Sequence, residues 1–194
     1  MNFAGVFNLP IVFFCQRNGW SISTPTSKET KSETIAQKAI AYGFKGIQVD
    51  GNDVLAVNKV TSQALEKARS GDGPTLIESI TYRMGDHTTS DDSLKYRTQE
   101  EIDEWTQKDP VLRLEKYITN NNILSDEEKN NIHQKIEQEI TDAVEQGLTV
   151  EKPNPEQMFE DVFAQMPEML KEQKEELLNE IIQISEENNN GGNN

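Results

Sequence analysis

The sequence predicts an α/β fold, in which a parallel sheet with crossover helices occupies the first half and a helical acidic region follows. Short apolar segments alternate with helical segments up to residue 82, the order that parallel strands joined by crossover helices produce. Leu9–Cys15 is apolar on both faces, which is typical of a buried parallel strand. After residue 98 the composition changes to Glu, Lys, Gln and Asn, which predicts solvent-facing helices.

The first half contains the predicted sheet. Strands are expected at Leu9–Cys15, Ile47–Asp50 and Thr75–Tyr82, and helices at Thr34–Tyr42 and Val54–Ala68. Gly43 suits the C-terminal end of the first helix, because glycine adopts the left-handed conformation found there at little cost. A polar segment follows Arg83, and loops of this kind often contain binding or catalytic residues.

Three helix starts are predicted in the second half. Thr98 with Glu101 and Ser125 with Glu128 form capping boxes, and Asp109-Pro110 places proline at the first helical position. We expect short apolar helical structure over 158–166 and a charged helix over 168–187. The chain therefore divides into a partial α/β domain at 1–97 with a loop at 83–97, a helical region at 98–187, and an unstructured Asn/Gly tail at 188–194.

Composition excludes several classes of function. The net charge of −15, from 19 basic and 34 acidic residues, repels nucleic acid phosphates. No apolar run approaches the ~20 residues of a membrane span, and no signal peptide pattern is present. Cys15 is the single cysteine, so no intrachain disulfide can form. We therefore expect a cytoplasmic protein with no nucleic acid or membrane partner.

Two polar clusters follow predicted strands. Asn18 and Trp20 come after the first strand, and Arg83 and His87 after the third; ligands of parallel sheets bind at such strand ends. An amide oxygen and a backbone carbonyl suit Mg²⁺, while Arg and His can donate to phosphate or to a reacting carbonyl. The alternatives are a plain turn and a solvated surface loop.

Several long stretches resemble a known family. The alpha subunits of thiamine-diphosphate-dependent 2-oxo acid dehydrogenases are similar in these segments: Asn2–Phe13, Ile22–Pro25, Tyr42-Gly43, Val49–Val54, Gly73–Glu78, Thr81–His87, Ser90–Asp92 and Tyr96-Arg97. The resemblance covers roughly residues 2–173, and the first domain would then be the C-terminal part of the thiamine-diphosphate-binding fold.

The resemblance implies an activity and partners. It implies oxidative decarboxylation of a 2-oxo acid with thiamine diphosphate and Mg²⁺, followed by acyl transfer to a lipoyl group. The implied partners are a beta subunit in an alpha2-beta2 heterotetramer and a lipoyl-bearing acyltransferase. The bacterial pyruvate dehydrogenase type is favoured, with branched-chain 2-oxo acid and acetoin dehydrogenases as alternatives.

The resemblance also assigns residues. Asn18 matches the metal-binding asparagine, and Trp20 matches the aromatic position whose backbone carbonyl completes the coordination. His87 matches the loop histidine near the diphosphate and the reaction centre. Arg83 matches the arginine that supports the same loop. These four are the expected catalytic, cofactor-binding and metal-binding residues.

The sequence departs from the family pattern in the metal motif. Arg17 replaces the first asparagine of the family's pair, and too few residues precede it to include the upstream Gly-Asp-Gly motif. Gly71-Asp72-Gly73 has the same letters but follows Asn18, so we reject it. We therefore expect a chain that lacks part of its cofactor site, is inactive alone and has an unpaired edge on its first strand. A non-catalytic truncated product that acts as an interaction fragment is the alternative.

Overall fold

A computed structural model describes residues 1–191, and within that range the core is a three-stranded parallel sheet. In space the order is β1 (Val12–Arg17), β5 (Thr75–Ile80) and β4 (Lys45–Asp50), so the last strand along the chain is central. A two-stranded hairpin, β2 (Trp20–Ser21) and β3 (Thr24–Pro25), follows β1. The predicted parallel sheet with helical connections is confirmed.

One face of the sheet packs against α3 (Val54–Arg69). Ile77 of β5 is fully buried there with Val49 and Ala64, and Val12 and Val60 pack around them. Full burial of an isoleucine side chain contributes about 1.5–3 kcal/mol. The alternation of side chains along each strand therefore places this apolar core on a single face.

The opposite face carries a buried carboxylate. Glu78 is 0% exposed, and its Oε2 accepts a 2.9 Å hydrogen bond from the Ala36 backbone N–H. Ala36–Tyr42 covers this face as a 3₁₀ helix and not as the α-helix that the sequence predicted. The hydrogen bond from the Ala36 N–H to Glu78 holds the first turn of this helix against the sheet, and Gly43 ends the helix with φ 77° as expected.

The first strand begins later than the sequence predicted. The short helix α1 (Asn2–Val6) precedes it, and the Leu9 N–H donates to the Ala4 carbonyl at 2.9 Å, so Leu9 belongs to the helix end. Pro10 has no N–H for a sheet ladder, and β1 starts after it. Within residues 1–191 no strand pairs with the outer edge of β1, where Phe14 is 47% exposed.

Helices make up the second half as expected. They are α4 (Gln99–Thr106), α5 (Pro110–Asn120), α6 (Asp126–Leu148), α7 (Gln157–Glu160) and α8 (Glu168–Gly191), preceded by α2 (Thr26–Glu29) in the first half. The Thr98 side chain accepts from the Glu101 N–H, and Asp109 accepts from the first turn of α5. Ser125 and Glu128 bond reciprocally. The three predicted helix starts are confirmed.

The described chain forms two compact units, one spanning Met1–Glu128 and one that begins at Lys129. The sequence placed a domain boundary after Arg97, whereas α4 and α5 belong to the first unit. The reason is packing: Trp105 of α4 stacks on Tyr82 at 5.2 Å, and the Asn52 side chain donates to the Lys108 carbonyl at 2.8 Å.

The second unit differs from the expectation in two places. Helical structure over 158–166 is limited to α7, which ends at Glu160, and α8 continues through Gly191 although no order was expected from Asn188. Residues 192–194 of the expected tail lie outside the described residues. In residues 1–191 no helix is long and apolar enough to cross a membrane.

Candidate functional site

The two polar clusters predicted from the sequence meet at the carboxyl ends of β1 and β5. The Thr81 N–H donates to the Arg17 carbonyl at 3.0 Å, and the Arg83 N–H donates to the Asn18 carbonyl at 3.1 Å. These bonds continue the parallel ladder beyond both strands. Asn18 and Arg83, which are 65 positions apart in the printed sequence, are therefore direct neighbours.

The turn that carries Asn18 is held by its own hydrogen bonds. Gly19 has φ 85°, a left-handed conformation that costs glycine little. The Asn18 Oδ1 accepts from the Trp20 backbone N–H at 3.3 Å. The Gly19 carbonyl accepts from the N–H and the hydroxyl of Thr26 at 2.9 and 3.0 Å. Asn18 and Trp20 are both half-buried.

Arg83 links this turn to the loop that follows β5. Its Nη2 donates to the Ile22 carbonyl at 2.7 Å and to the Tyr96 hydroxyl at 3.0 Å, and its Nη1 donates to His87 Nδ1 at 3.4 Å. Ile22 has φ 52°, which for a β-branched residue costs about 1–3 kcal/mol. The bond from Arg83 helps to hold the hairpin tip in this strained conformation.

His87 lies in the exposed part of the loop, and its backbone is fixed. Its N–H donates to Asp91 Oδ2 at 2.9 Å, and the Tyr96 hydroxyl donates to the same oxygen at 2.5 Å. The Tyr96 bond and then the His87 bond lower the pKa of Asp91, and the Asp91 partner raises the pKa of Tyr96. Because the Arg83 guanidinium can only donate, this contact favours the neutral tautomer in which Nδ1 accepts and Nε2 carries the proton that a ligand could accept.

A second arginine organises the start of the loop. Arg97 is 5% exposed and donates to the carbonyls of Arg83, Met84 and Gly85 and to the Ser93 hydroxyl. Its guanidinium lies 5.5 Å from the centre of the Tyr82 ring. The predicted loop 83–97 is thus an ordered structure around a buried cation.

Arg17, the residue that departs from the family pattern, has a partner of its own. Its Nη1 donates to Glu78 Oε1 at 3.4 Å, and Gln48 donates to the other Glu78 oxygen at 3.3 Å. Glu78 thereby contacts both outer strands. The Arg17 side chain belongs to this buried group on the sheet face.

The described residues at this site are better suited to bind an anion than to hold a metal ion by themselves. Among the described residues no group of three or more His, Cys, Asp or Glu side chains could hold a metal ion. Asn18 Oδ1 and the Trp20 carbonyl are uncharged oxygens, and Oδ1 already accepts a hydrogen bond. Mg²⁺ prefers six oxygens in octahedral geometry. Arg83 and His87 supply the donors that a phosphate group requires.

Sequence reasoning missed two residues that border the site. Glu101 Oε1 accepts from Trp20 Nε1 at 3.3 Å, a contact across 81 residues, and Trp105 covers Tyr82. The capping box identified Glu101 as a helix start. Its partner could not be found from local patterns, because the contact depends on how α4 packs against the sheet.

A parallel sheet with donors gathered at the carboxyl ends of two neighbouring strands places this chain in the α/β class, whose members commonly bind ligands at such strand ends. The chain belongs to the family described as the dehydrogenase E1 component, whose family model matches residues 1–156. The family resemblance that the sequence motifs predicted is confirmed.

Curated relatives agree with this assignment. The chain is 46% identical over 181 residues to the pyruvate dehydrogenase E1 component subunit alpha of Acholeplasma laidlawii, covering 91% of this chain and 52% of the relative. It is 43% identical over 176 residues to the corresponding subunit of Staphylococcus aureus (strain Mu50 / ATCC 700699), with coverages of 90% and 48%. It is 44% identical over 184 residues to the 3-methyl-2-oxobutanoate dehydrogenase subunit alpha of Mycobacterium tuberculosis, with coverages of 93% and 49%. The chain therefore spans about half the length of these relatives.

Proposed function

We propose that this chain acts in the alpha subunit of the decarboxylating component of a 2-oxo acid dehydrogenase complex, with pyruvate as substrate. The family and the pyruvate dehydrogenase relatives support this proposal. The cofactors would be thiamine diphosphate and Mg²⁺, and the thiamine ring supplies the electron sink that decarboxylation requires. The partners would be a beta subunit in an alpha2-beta2 assembly and a lipoyl-bearing acyltransferase that receives the acetyl group.

The observation that carries the proposal is the position of Arg83. Its backbone N–H bonds the turn of Asn18, and its guanidinium bonds His87. In the proposed site, Asn18 Oδ1 and the Trp20 carbonyl would be the neutral oxygens of this chain that hold Mg²⁺. Nε2 of His87 would donate to the diphosphate or to the substrate carbonyl. Arg83 keeps that imidazole in the required tautomer and close to the turn.

Substrate choice between pyruvate and a branched-chain 2-oxo acid needs a direct measurement. The relatives named for these two activities are 46%, 43% and 44% identical to this chain, which does not separate them. We expect kcat/KM for pyruvate to exceed that for 3-methyl-2-oxobutanoate in the protein assembled with its cognate beta subunit. The reverse order would assign the branched-chain activity.

The role of His87 is tested in the same assembly, supplied with thiamine diphosphate, Mg²⁺ and the lipoyl acyltransferase. His87→Ala should lower overall activity by about 100-fold or more, because a positioned donor is lost. His133→Ala is the matched control, since His133 is exposed on α6. An assembled wild-type protein that decarboxylates no 2-oxo acid would refute the function, and an unaffected His87→Ala would refute the assigned role.

We also propose that the chain binds thiamine diphosphate weakly when no beta subunit is present. The metal ligands among its described residues are neutral, so they attract Mg²⁺ less strongly than a carboxylate would. Calorimetric titration of the purified, monodisperse chain with Mg²⁺ and thiamine diphosphate checks this. A dissociation constant below about 10 μM, equivalent to roughly −7 kcal/mol, would contradict it.

A further inference from the structure

We infer that Glu101 is a positioning residue that holds the Asn18–Trp20 turn from the side of α4. This inference rests on the proposed function, because the turn matters as part of the cofactor site. The indole Nε1 of Trp20 donates to Glu101 Oε1 at 3.3 Å. Both residues are half-buried, so the hydrogen bond is partly shielded from water.

The position of α4 supports this role. Glu101 and Trp105 are one helical turn apart and therefore lie on the same side of α4. Trp105 stacks on Tyr82 with ring centres 5.2 Å apart and an interplanar angle of 6°. Tyr82 directly precedes Arg83. One side of the helix thus contacts the turn after β1 through Glu101 and the end of β5 through Trp105.

A second donor lies close to the same carboxylate. The Tyr82 hydroxyl is buried and has no hydrogen-bond partner at bonding distance among the described residues. Burial raises the pKa of Tyr82, and the neighbouring Glu101 raises it further. Glu101 therefore influences both segments that converge on the site, through its hydrogen bond with Trp20 and through its charge beside Tyr82.

The Glu101 carboxylate belongs to the first turn of α4, and that turn is held by a capping hydrogen bond. The Glu101 N–H donates to the Thr98 hydroxyl at 3.3 Å, which fixes the first turn of α4. Thr98 directly follows Arg97, the buried cation of the loop. The Trp20 ring also lies 5.3 Å from the Tyr96 ring. Glu101 thus follows the His87 loop closely in sequence, and its side chain is hydrogen-bonded to Trp20 of the Asn18 turn.

Hydrogen exchange of the assembled protein without cofactor tests the contact directly. In Glu101→Ala, amides of residues 18–21 should exchange about tenfold faster, while those of β5 keep their protection. Glu101→Gln retains an oxygen acceptor and should restore most of the protection. Glu100→Ala is the control, because Glu100 is an exposed acid in the same first turn of α4. Equal exchange in Glu101→Ala and Glu100→Ala would overturn the inference.

Cofactor binding gives the second measurement. Glu101→Ala should raise the apparent Kd for thiamine diphosphate with Mg²⁺ by about tenfold, with kcat at saturating cofactor within about twofold of wild type. A change in kcat without a change in Kd would overturn the inference. If the wild-type assembly binds no thiamine diphosphate, the proposed function fails, and the exchange measurement still decides whether Glu101 holds the turn.

If Glu101→Ala unfolds the chain, the variant Trp20→Phe provides a second test of the same hydrogen bond. Phenylalanine keeps an aromatic ring against Tyr96 but removes the indole N–H. If the N–H···O bond holds the turn, Trp20→Phe should also exchange faster at residues 18–21 at unchanged global stability. Wild-type protection in this variant would overturn the inference.

Discussion

The hydroxyl of Tyr96 and the backbone N–H of His87 converge on one oxygen of Asp91, at 2.5 and 2.9 Å. The same hydroxyl accepts from Arg83 at 3.0 Å. Tyr96 therefore connects two groups that hold His87. One is the Arg83 guanidinium, which bonds His87 Nδ1, and the other is the Asp91 carboxylate, which bonds the His87 backbone. The Tyr96 oxygen supports both of these partners.

Tyr96→Phe should loosen the loop without unfolding the sheet. The variant removes the donor to Asp91 and the acceptor for Arg83 while keeping the ring beside Trp20. Amides 86–92 should exchange faster, and the sheet amides should not change. Tyr117→Phe serves as the control, because Tyr117 lies on α5 and is 48% exposed. Unchanged exchange at 86–92 would show that the Tyr96 oxygen does not order the loop.

The loop should lose order in acid. Hydrogen bonds from Tyr96 and then from His87 lower the pKa of Asp91, and those from Ser93 lower the pKa of Asp86. A carboxylate with a lowered folded pKa contributes stability above its unfolded pKa, about 3.9, and loses it as pH falls through the folded pKa. Loop amide shifts measured by NMR should therefore change below about pH 4. An unaltered transition in a double Asp86→Asn, Asp91→Asn variant would exclude this cause.

Removal of the Glu78 charge and removal of the Arg17 charge should lower the free energy of unfolding by different amounts. Glu78→Ala removes the shared acceptor of the Ala36 N–H, Gln48 and Arg17 and leaves a cavity where a fully buried side chain was. It should lower the free energy of unfolding by about 3–5 kcal/mol. Arg17→Met leaves the buried Glu78 carboxylate without its cation but keeps the two other donors, so it should cost less, about 1–3 kcal/mol. Urea unfolding of the chain measures both, and equal losses would contradict the proposed asymmetry.

Gly46 is required where the 3₁₀ helix crosses β4. A Cβ at this position would clash with the Ala36 carbonyl, and backbone cannot yield as a flexible side chain can. Gly46→Ala should therefore lower the free energy of unfolding by about 1–3 kcal/mol. The control is Gly85→Ala, where no atom lies within 4 Å of the added carbon. A Gly46→Ala variant as stable as Gly85→Ala would show that this close approach is absent in solution.

Much of the fold follows from local patterns. The capping residues Thr98, Asp109 and Ser125 begin helices as predicted, because a side-chain acceptor next to a free N–H is a contact between near neighbours. The apolar strand segments also form strands. Pro10 explains why β1 starts after the predicted position, since proline cannot donate to the ladder.

Contacts between distant segments could not be predicted in this way. Hydrophobic spacing favoured an α-helix over 34–42, but Ala36–Tyr42 is a 3₁₀ helix, and its Ala36 N–H donates to Glu78 of β5, a contact across 42 residues. The residues Asn18 and Arg83 were identified as candidates, and their adjacency depends on the pairing of β1 with β5. The bond between Trp20 and Glu101 depends on how α4 packs, for which no local pattern gives a signal.

The strand order has a consequence for how the protein is made. β5 is the last of the three strands to be synthesised and the one that pairs with both others. Until the ribosome has released Ile80, β1 and β4 cannot form the pairings that the described residues make in this sheet, and the residues of β1 that β5 covers remain available to chaperones and to other nascent chains. Such late, long-range pairing slows folding and favours aggregation. We therefore expect the yield of folded protein to depend more on the translation speed across residues 75–80 than on the translation speed across α6 or α8.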